Sequence, residues 1–123
     1  MSTLKADTIQ STGGGAATLT KQVAAKLWAK FDTSGTAALS DSFNVSALSD
    51  LGTGNTQLTA VSAFNNATYA VTALSQYQNN AGQVIAEGPS DAATNSFEIW
   101  TRANDASAFD ADINSAVVHG DLA

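Results

Sequence analysis

The class of fold is decided by residues 39–45, LSDSFNV, whose larger side chains recur at every second position. Leu39 and Phe43 fall on one side of an extended chain with Asp41 between them. A helix would need apolar residues at spacings of three and four instead. This stretch therefore predicts a β-strand, and it belongs to a period-two pattern that begins at Thr36 and continues towards the end of the chain.

The same alternation recurs in later stretches that are separated by turn-forming residues. Clusters rich in Gly, Asn and Asp, at 52–55, 78–82, 88–91 and 104–105, tolerate the backbone angles of tight turns. Five or six short strands at this spacing predict a mainly β fold, a small antiparallel sandwich or sheet module over residues 36–123. The alternating sets are Thr56, Leu58 and Ala60; Tyr69, Val71 and Ala73; Phe97 and Ile99; and Ile113, Ser115 and Val117.

A different pattern precedes this module. Residues 2–20 form an extended arm broken by glycines at 13–15, and Lys21–Phe31 has apolar residues at helical spacing. The sequence therefore predicts an N-terminal segment over residues 1–35 that consists of the arm and one short amphipathic helix. A helix this short is marginal in water, so we expect its apolar stripe to pack on a partner. The stripe consists of Val23, Leu27, Trp28 and Phe31.

Composition and charge exclude several classes of function. The 123 residues contain 7% aromatics and no cysteine, and the net charge is −6, of which residues 1–30 carry +3 and residues 31–123 carry −9. We expect no nucleic acid partner, because phosphate binding needs clustered basic side chains.

No stretch approaches the roughly 20 apolar residues of a membrane span, so we expect no membrane insertion. The first residues lack the apolar core of a secretion signal, so we expect synthesis in the cytoplasm. With few bulky core residues, the chain would gain stability by sharing a core with copies of itself.

Candidate catalytic and metal-binding residues form no recognisable site. Asp105, Asp110 and Asp112 invite a calcium interpretation, but their spacing is not that of a calcium-binding loop. His119 has no nucleophile motif to serve, and the separation of Glu87 from Glu98 cannot be obtained from the sequence. We therefore expect no catalytic residue, no metal and no cofactor, and we interpret the protein as not an enzyme.

Aromatic residues suggest where contacts with partners lie. Trp28, on the predicted helix stripe, favours a core or subunit contact over sugar stacking. Tyr77 precedes the polar turn residues Asn79 and Asn80, and loops on a rigid sheet commonly carry recognition. These three residues, Tyr77, Asn79 and Asn80, are the candidate receptor-facing loop.

Several stretches along nearly the whole chain carry a family resemblance. They are STLKADTIQS (2–11), ATLTKQ (17–22), KLWAKFD (26–32), DSFNVS (41–46), GTG (52–54), YAVT (69–72) and GDL (120–122). In these stretches the chain resembles small tail-fibre and virion structural proteins of marine bacteriophages. The resemblance is strongest over residues 2–54 and thin between Leu74 and Ala111.

The resemblance implies a homotrimeric component of the virion, on the tail or capsid surface, most simply a short tail fibre or fibre tip that takes part in host attachment. Its expected partners are copies of itself, other phage structural proteins and a host surface glycan or protein. In such a trimer, Val23, Leu27, Trp28 and Phe31 are the candidate assembly contacts. The alternatives are a capsid decoration or head-fibre protein and, from another class, a small glycan-active enzyme or sugar-binding module.

Overall fold

The structure, a computed structural model, describes residues 12–13, 24–76, 85–87, 92–103 and 105–122. Within these ranges the chain contains eight β-strands and no helix. The strands form two four-stranded antiparallel sheets, ordered β2-β1-β8-β5 and β3-β4-β7-β6. The predicted mainly β, antiparallel fold is confirmed. The strands are β1 Leu27–Asp32, β2 Ala38–Phe43, β3 Val45–Gly52, β4 Asn55–Ala60, β5 Ala70–Gln76, β6 Ile85–Glu87, β7 Ser96–Arg102 and β8 Ile113–His119.

One hydrophobic core joins the two sheets into a sandwich. Leu27 and Phe31 come from the first sheet, and Leu58, Phe97 and Ile99 come from the second. Burying a side chain of this size contributes about 1.5–3 kcal/mol, so these residues supply much of the driving force for folding. The alternating sets of β4 and β7, Thr56, Leu58 and Ala60 with Phe97 and Ile99, are the ones that face this core. The whole cluster is Leu27, Ala29, Phe31, Leu58, Ala60, Phe64, Tyr69, Phe97, Ile99, Ala116 and Val118.

The helix predicted over Lys21–Phe31 is wrong at every residue of it that the structure describes, which are residues 24–31. Residues 27–32 form β1, which lies between β2 and β8 in the first sheet. Because this stretch is short, its apolar residues fit both periods, and pairing on both sides selects the strand. Residues 21–23 and most of the arm lie outside the described residues. Residues 27–32, which the sequence analysis assigned to the N-terminal segment, thus form a central strand of the first sheet.

A single residue, Asn44, carries the chain from β2 in one sheet to β3 in the other. Its φ of 58° lies in the left-handed region, where Asn is one of the better tolerated residues. The Asn44 side chain also fixes the corner: Oδ1 accepts a hydrogen bond from the Ser62 backbone N–H at 2.7 Å, and Nδ2 donates to the Lys26 carbonyl at 3.0 Å. Asn44 therefore ties three separate segments together where the sheets meet.

The alternation predicted over residues 39–45 is interrupted in the structure. Asp41 pairs with Lys30 and Leu39 pairs with Phe31, with a bulge between these pairs. The extra residue of a β-bulge shifts the alternation by one position. As a result, Asp41 and Phe43 face away from the core, whereas Leu39 lies opposite the buried Phe31 at the edge of the sheet.

Strand β8 buries the residues that sequence periodicity left out. Asn114, Ala116 and Val118 face the core, and the alternating set Ile113, Ser115 and Val117 lies on the other side of the sheet. The strand is apolar on both faces, so period two alone does not say which face points inward. The outer face of the first sheet consequently carries large apolar side chains.

Candidate interaction surface

The outer face of the sheet β2-β1-β8-β5 is the candidate functional site, and we call it the Trp28 face. Four of the seven large hydrophobic side chains that are exposed among the described residues lie on it: Trp28 (37% exposed), Phe43 (54%), Leu74 (70%) and Ile113 (41%). Trp28 and Ile113 alternate with buried residues of β1 and β8, and Leu74 alternates with half-buried residues of β5. The face is completed by Lys30, Asp41, Thr72, Ser115 and Val117.

Strand register arranges these residues in rows across the sheet. Phe43 pairs with Trp28, Trp28 with Val117, and Val117 with Thr72, so one row crosses all four strands. Directly paired residues on one face have Cβ atoms about 4.5–5.5 Å apart, which makes the first three side chains of the row neighbours. The apolar surface is therefore continuous over β2, β1 and β8.

The second row carries a pair of opposite charges. Asp41 pairs with Lys30, Lys30 with Ser115, and Ser115 with Leu74. Asp32 adds a second carboxylate on the same side of β1 as Trp28 and Lys30. Lys30 therefore has one carboxylate across the strands and another two residues along its own strand.

An apolar surface of this kind is uncommon on a monomeric protein. Single exposed hydrophobic residues need no explanation, but a contiguous group rimmed by polar residues marks a contact site. Each large side chain that moves from water into a packed interface contributes about 1.5–3 kcal/mol. The arrangement can therefore bind a partner through apolar burial, with the Lys30 and Asp41 pair providing orientation.

The four predicted assembly residues are placed differently by the structure. Trp28 lies at the centre of the Trp28 face. Leu27 and Phe31 are 0% and 2% exposed, in the chain's own core, because they occupy the opposite side of β1. Val23 lies outside the described residues, as does the whole predicted receptor loop of Tyr77, Asn79 and Asn80.

The three aspartates that suggested calcium have separate surroundings. Asp105 Oδ1 accepts hydrogen bonds from the backbone and side chain of Ser107, which lower the pKa of the Asp105 carboxyl. Asp110 Oδ1 accepts from the Gly54 N–H at 2.7 Å. Asp112 has a buried carboxylate oxygen that no described donor reaches. Within the described part of the chain, no three His, Cys, Asp or Glu side chains are grouped so as to hold a metal.

A buried polar cluster fixes the end of β8 against β1. The Asn114 amide Nδ2 donates to the Ala111 carbonyl at 2.9 Å and lies 3.3 Å from Thr33 Oγ1. The Thr33 hydroxyl donates to the same Ala111 carbonyl at 2.9 Å and accepts from the Ala111 N–H at 3.0 Å. Three of these groups, the Asn114 amide Nδ2, the Thr33 hydroxyl and the Ala111 backbone, satisfy one another, while Asn114 Oδ1 is buried without a partner. The hydrogen bonds give this cluster a structural role.

The outer face of the second sheet is more polar than the Trp28 face. The Arg102 guanidinium lies over the Trp100 ring, 5.1 Å from its centroid, which is a cation–π geometry. On the same face, Asn55 Nδ2 donates to Glu98 Oε2 at 3.2 Å. An aromatic ring beside amide and carboxylate groups has the chemistry of a sugar contact, although Arg102 occupies one side of the ring.

The remaining candidate, His119, is exposed at the end of β8, where it pairs with Ala70. No nucleophile lies across the strand from it. The structure contains no helix, over the residues it describes, that is long and apolar enough to cross a membrane.

The sequence analysis did not indicate Phe43, Leu74 or Ile113 as residues of the candidate surface. For β1 and β8, the strands of Trp28 and Ile113, a signal exists in the large apolar residues side by side at Leu27-Trp28 and Val117-Val118. In a two-sided strand, adjacent apolar residues point to opposite faces, which indicates that both faces are covered. That pattern identifies β1 and β8 as strands with two apolar sides.

Comparison with protein-family models, with curated proteins and with solved structures found no match for this chain.

Proposed function

We propose that this chain is a structural component of a bacteriophage particle, a short tail fibre or fibre tip that takes part in host attachment as a homotrimer. The observation that carries the proposal is the Trp28 face, an apolar sheet surface whose exposed Phe43 and Leu74 favour a protein built into a larger assembly. A β-sandwich with such a face is suited to packing within a particle while its loops remain outward.

The sequence resemblance supports the same role. Two of its stretches, residues 26–32 and 41–46, fold into the paired strands β1 and β2 and the corner at Asn44. These two strands supply Trp28 and Phe43, the most continuous part of the apolar surface. Two of the stretches that resemble phage structural proteins thus supply the β1 and β2 part of the candidate contact surface.

Host attachment is assigned to the loops. The two sheets leave the turns between strands at the ends of the sandwich, and loops on a rigid scaffold commonly carry recognition. Tyr77, Asn79 and Asn80 lie in the sequence between β5, which ends at Gln76, and β6, which begins at Ile85. A host surface glycan or protein is the expected ligand, and other phage structural proteins are the expected neighbours.

The test is to locate the protein in intact virions. An antibody against the purified chain, imaged with gold label on particles of the phage that encodes it, is expected to mark the distal tail. Label on the heads alone would replace the fibre assignment with a capsid decoration or head-fibre protein. Purified particles that lack the chain by mass spectrometry would overturn the proposal. Variants Tyr77→Ala and Asn79→Ala are expected to lower adsorption while particles still assemble.

A sugar-binding module or small glycan-active enzyme is the second candidate, and Trp100 is the observation that favours it. Its ring lies beside Asn55 and Glu98 on the outer face of the second sheet. Binding of the purified chain to host envelope polysaccharide, lost in Trp100→Ala, would support the sugar-binding module. Release of reducing ends from that polysaccharide would be required for an enzyme.

A further inference from the structure

We infer that the Trp28 face is the surface through which copies of this chain pack on one another, with Phe43, Trp28, Val117 and Leu74 forming the contact. The inference rests on the assembly role proposed above and adds the identity of the partner and the residues that meet it. The predicted contact at Leu27 and Phe31 is replaced, because both side chains are buried in the chain's own core.

The charge distribution selects a second copy as the occupant. Two molecules with a net charge of −6 repel each other, and opposite charges that meet within a contact offset part of this repulsion. The Trp28 face offers such charges, since Lys30 lies beside Asp41 across β1 and β2 and beside Asp32 along β1. A neighbouring copy presents the same charges, so a rotation brings Lys30 of one copy towards Asp41 of the next. The face is therefore complementary to itself.

The shape of the surface agrees with this partner. Antiparallel sheets pack face to face about 10 Å apart with their side chains interdigitated, as the two sheets do inside this sandwich. The large Phe43 and Trp28 lie side by side on β2 and β1, and the smaller Ser115 and Thr72 lie on β8 and β5, so the face has a raised side and a lower side. Identical faces arranged around a rotation axis form a closed assembly with no exposed apolar surface left over.

The experiment measures the mass of the full-length purified chain by light scattering from about 1 µM to about 100 µM, because assembly by mass action depends on concentration. The chain is expected to be oligomeric at the upper end. Phe43→Lys and Leu74→Lys are expected to weaken each contact about 30-fold or more, the loss typical of an interface hot spot. Both side chains are largely exposed, so the variants should fold, which circular dichroism and thermal unfolding would verify.

Leu51→Lys is the matched control. Leu51 is 48% exposed against 54% for Phe43, and it lies on β3 in the other sheet. The control is expected to have the mass of the natural chain at every concentration. If Leu51→Lys dissociates the oligomer as strongly as Phe43→Lys does, the Trp28 face is not the contact.

The indole of Trp28 gives an independent readout. The chain has two tryptophans, so Trp100→Phe leaves Trp28 as the only indole while keeping an aromatic ring under Arg102. Its emission is expected to shift to shorter wavelength, and its quenching by acrylamide to fall, as concentration rises. A chain that is still monomeric at about 100 µM would overturn the inference. If the Trp28 indole of that monomer is already shielded from acrylamide, residues 1–23 of the same chain cover the Trp28 face.

The oligomer and the virion location can fail separately. A dimer or trimer held by this face, in a protein absent from particles, would keep the inference and remove the phage role. A monomeric protein found on tails would remove the inference about the Trp28 face and keep the phage role. A dimer through this face would support the contact and contradict the proposed trimer.

Discussion

Trp28 and Phe43 are directly paired across β1 and β2, and both side chains are exposed on the outside of the sandwich. Aromatic pairs at this spacing contribute about 0.2–1 kcal/mol to a sheet, far less than burying both rings would. The pair therefore leaves most of its apolar surface available for a partner. This relationship makes the first sheet a two-sided element, with one apolar face inside the chain and one outside.

Removing the positive charge of the Trp28 face should weaken assembly. Lys30→Gln is expected to lower the association constant about two- to fivefold per contact, since an exposed ion pair contributes about 0.2–1 kcal/mol. Raising the salt concentration should narrow the difference by screening charge. Thr53→Glu is the control, because it also changes the net charge from −6 to −7 but lies in the β3–β4 turn. Equal weakening by both variants would show that only net charge matters.

Gly54 should tolerate no side chain. Its φ is +69°, and a Cβ placed there would lie 2.5 Å from the Thr101 carbonyl oxygen and 2.9 Å from the Phe109 backbone nitrogen. Gly54→Ala is expected to lower the free energy of unfolding by about 1–3 kcal/mol, since a strained left-handed residue is combined with a backbone clash. Gly35→Ala, where a Cβ meets nothing within 4 Å, is the control. Urea denaturation of both variants measures the difference, and equal losses would contradict the role assigned to Gly54.

The buried amide of Asn114 should stabilise the sandwich. Asn114→Ala removes the donor to the Ala111 carbonyl and leaves a cavity beside Thr33, so we expect a loss of about 1–3 kcal/mol in the free energy of unfolding. Ser115→Ala, on the outer side of the same strand, should change the stability of the monomer by less than about 0.5 kcal/mol. Denaturant unfolding of both variants tests this, and a stable Asn114→Ala would show that the cluster is dispensable.

Tyr69 should make the fold sensitive to alkaline pH. Its hydroxyl lies 2.8 Å from the Ala93 carbonyl and 2.9 Å from the Ser96 carbonyl, and burial raises the pKa of Tyr69 above its ordinary value of 10.0. The neutral phenol is thus favoured in the folded chain. Its contribution is fully present below pH 10 and is lost as pH rises from there through the folded-state pKa, because the unfolded chain ionises first.

Thermal unfolding between pH 8 and pH 12 measures this effect, since that range brackets the ordinary tyrosine pKa of about 10. Tyr69→Phe should be less stable at pH 8, where the hydroxyl's hydrogen bond is missing, and its stability should fall less steeply above pH 10. A parallel decline in both proteins would place the titrating group elsewhere.

Period two from Thr36 onward was sufficient to predict a mainly β, antiparallel fold. It also predicted the alternation in β4 and β7, and the structure buries Thr56, Leu58 and Ile99 from these strands. In β4 the opposite side is polar, so alternation separates the two faces clearly, whereas β7 carries Ile99 and Trp100 on opposite sides. The prediction of β1 failed because Leu27, Trp28 and Phe31 satisfy helical spacing as well, and six residues are too few to separate the two periods.

The candidate site was only partly accessible from the sequence. Trp28 was chosen for a partner contact, but as part of a stripe with Leu27 and Phe31, which the strand conformation places on the opposite face. Phe43 reaches the outer face because of the bulge in β2, and Ile113 because β8 buries Asn114 instead. Both outcomes depend on the neighbours that the strands acquire in the sheet.

The sequence by itself determined the class of secondary structure, the acidic surface and the presence of apolar residues on successive positions, since these follow from periodicity and composition. Only the tertiary structure decided which side of β1, β2 and β8 faces the core. The choice depends on strand order, on one bulge and on the corner at Asn44, which are long-range pairings that local residue patterns do not encode.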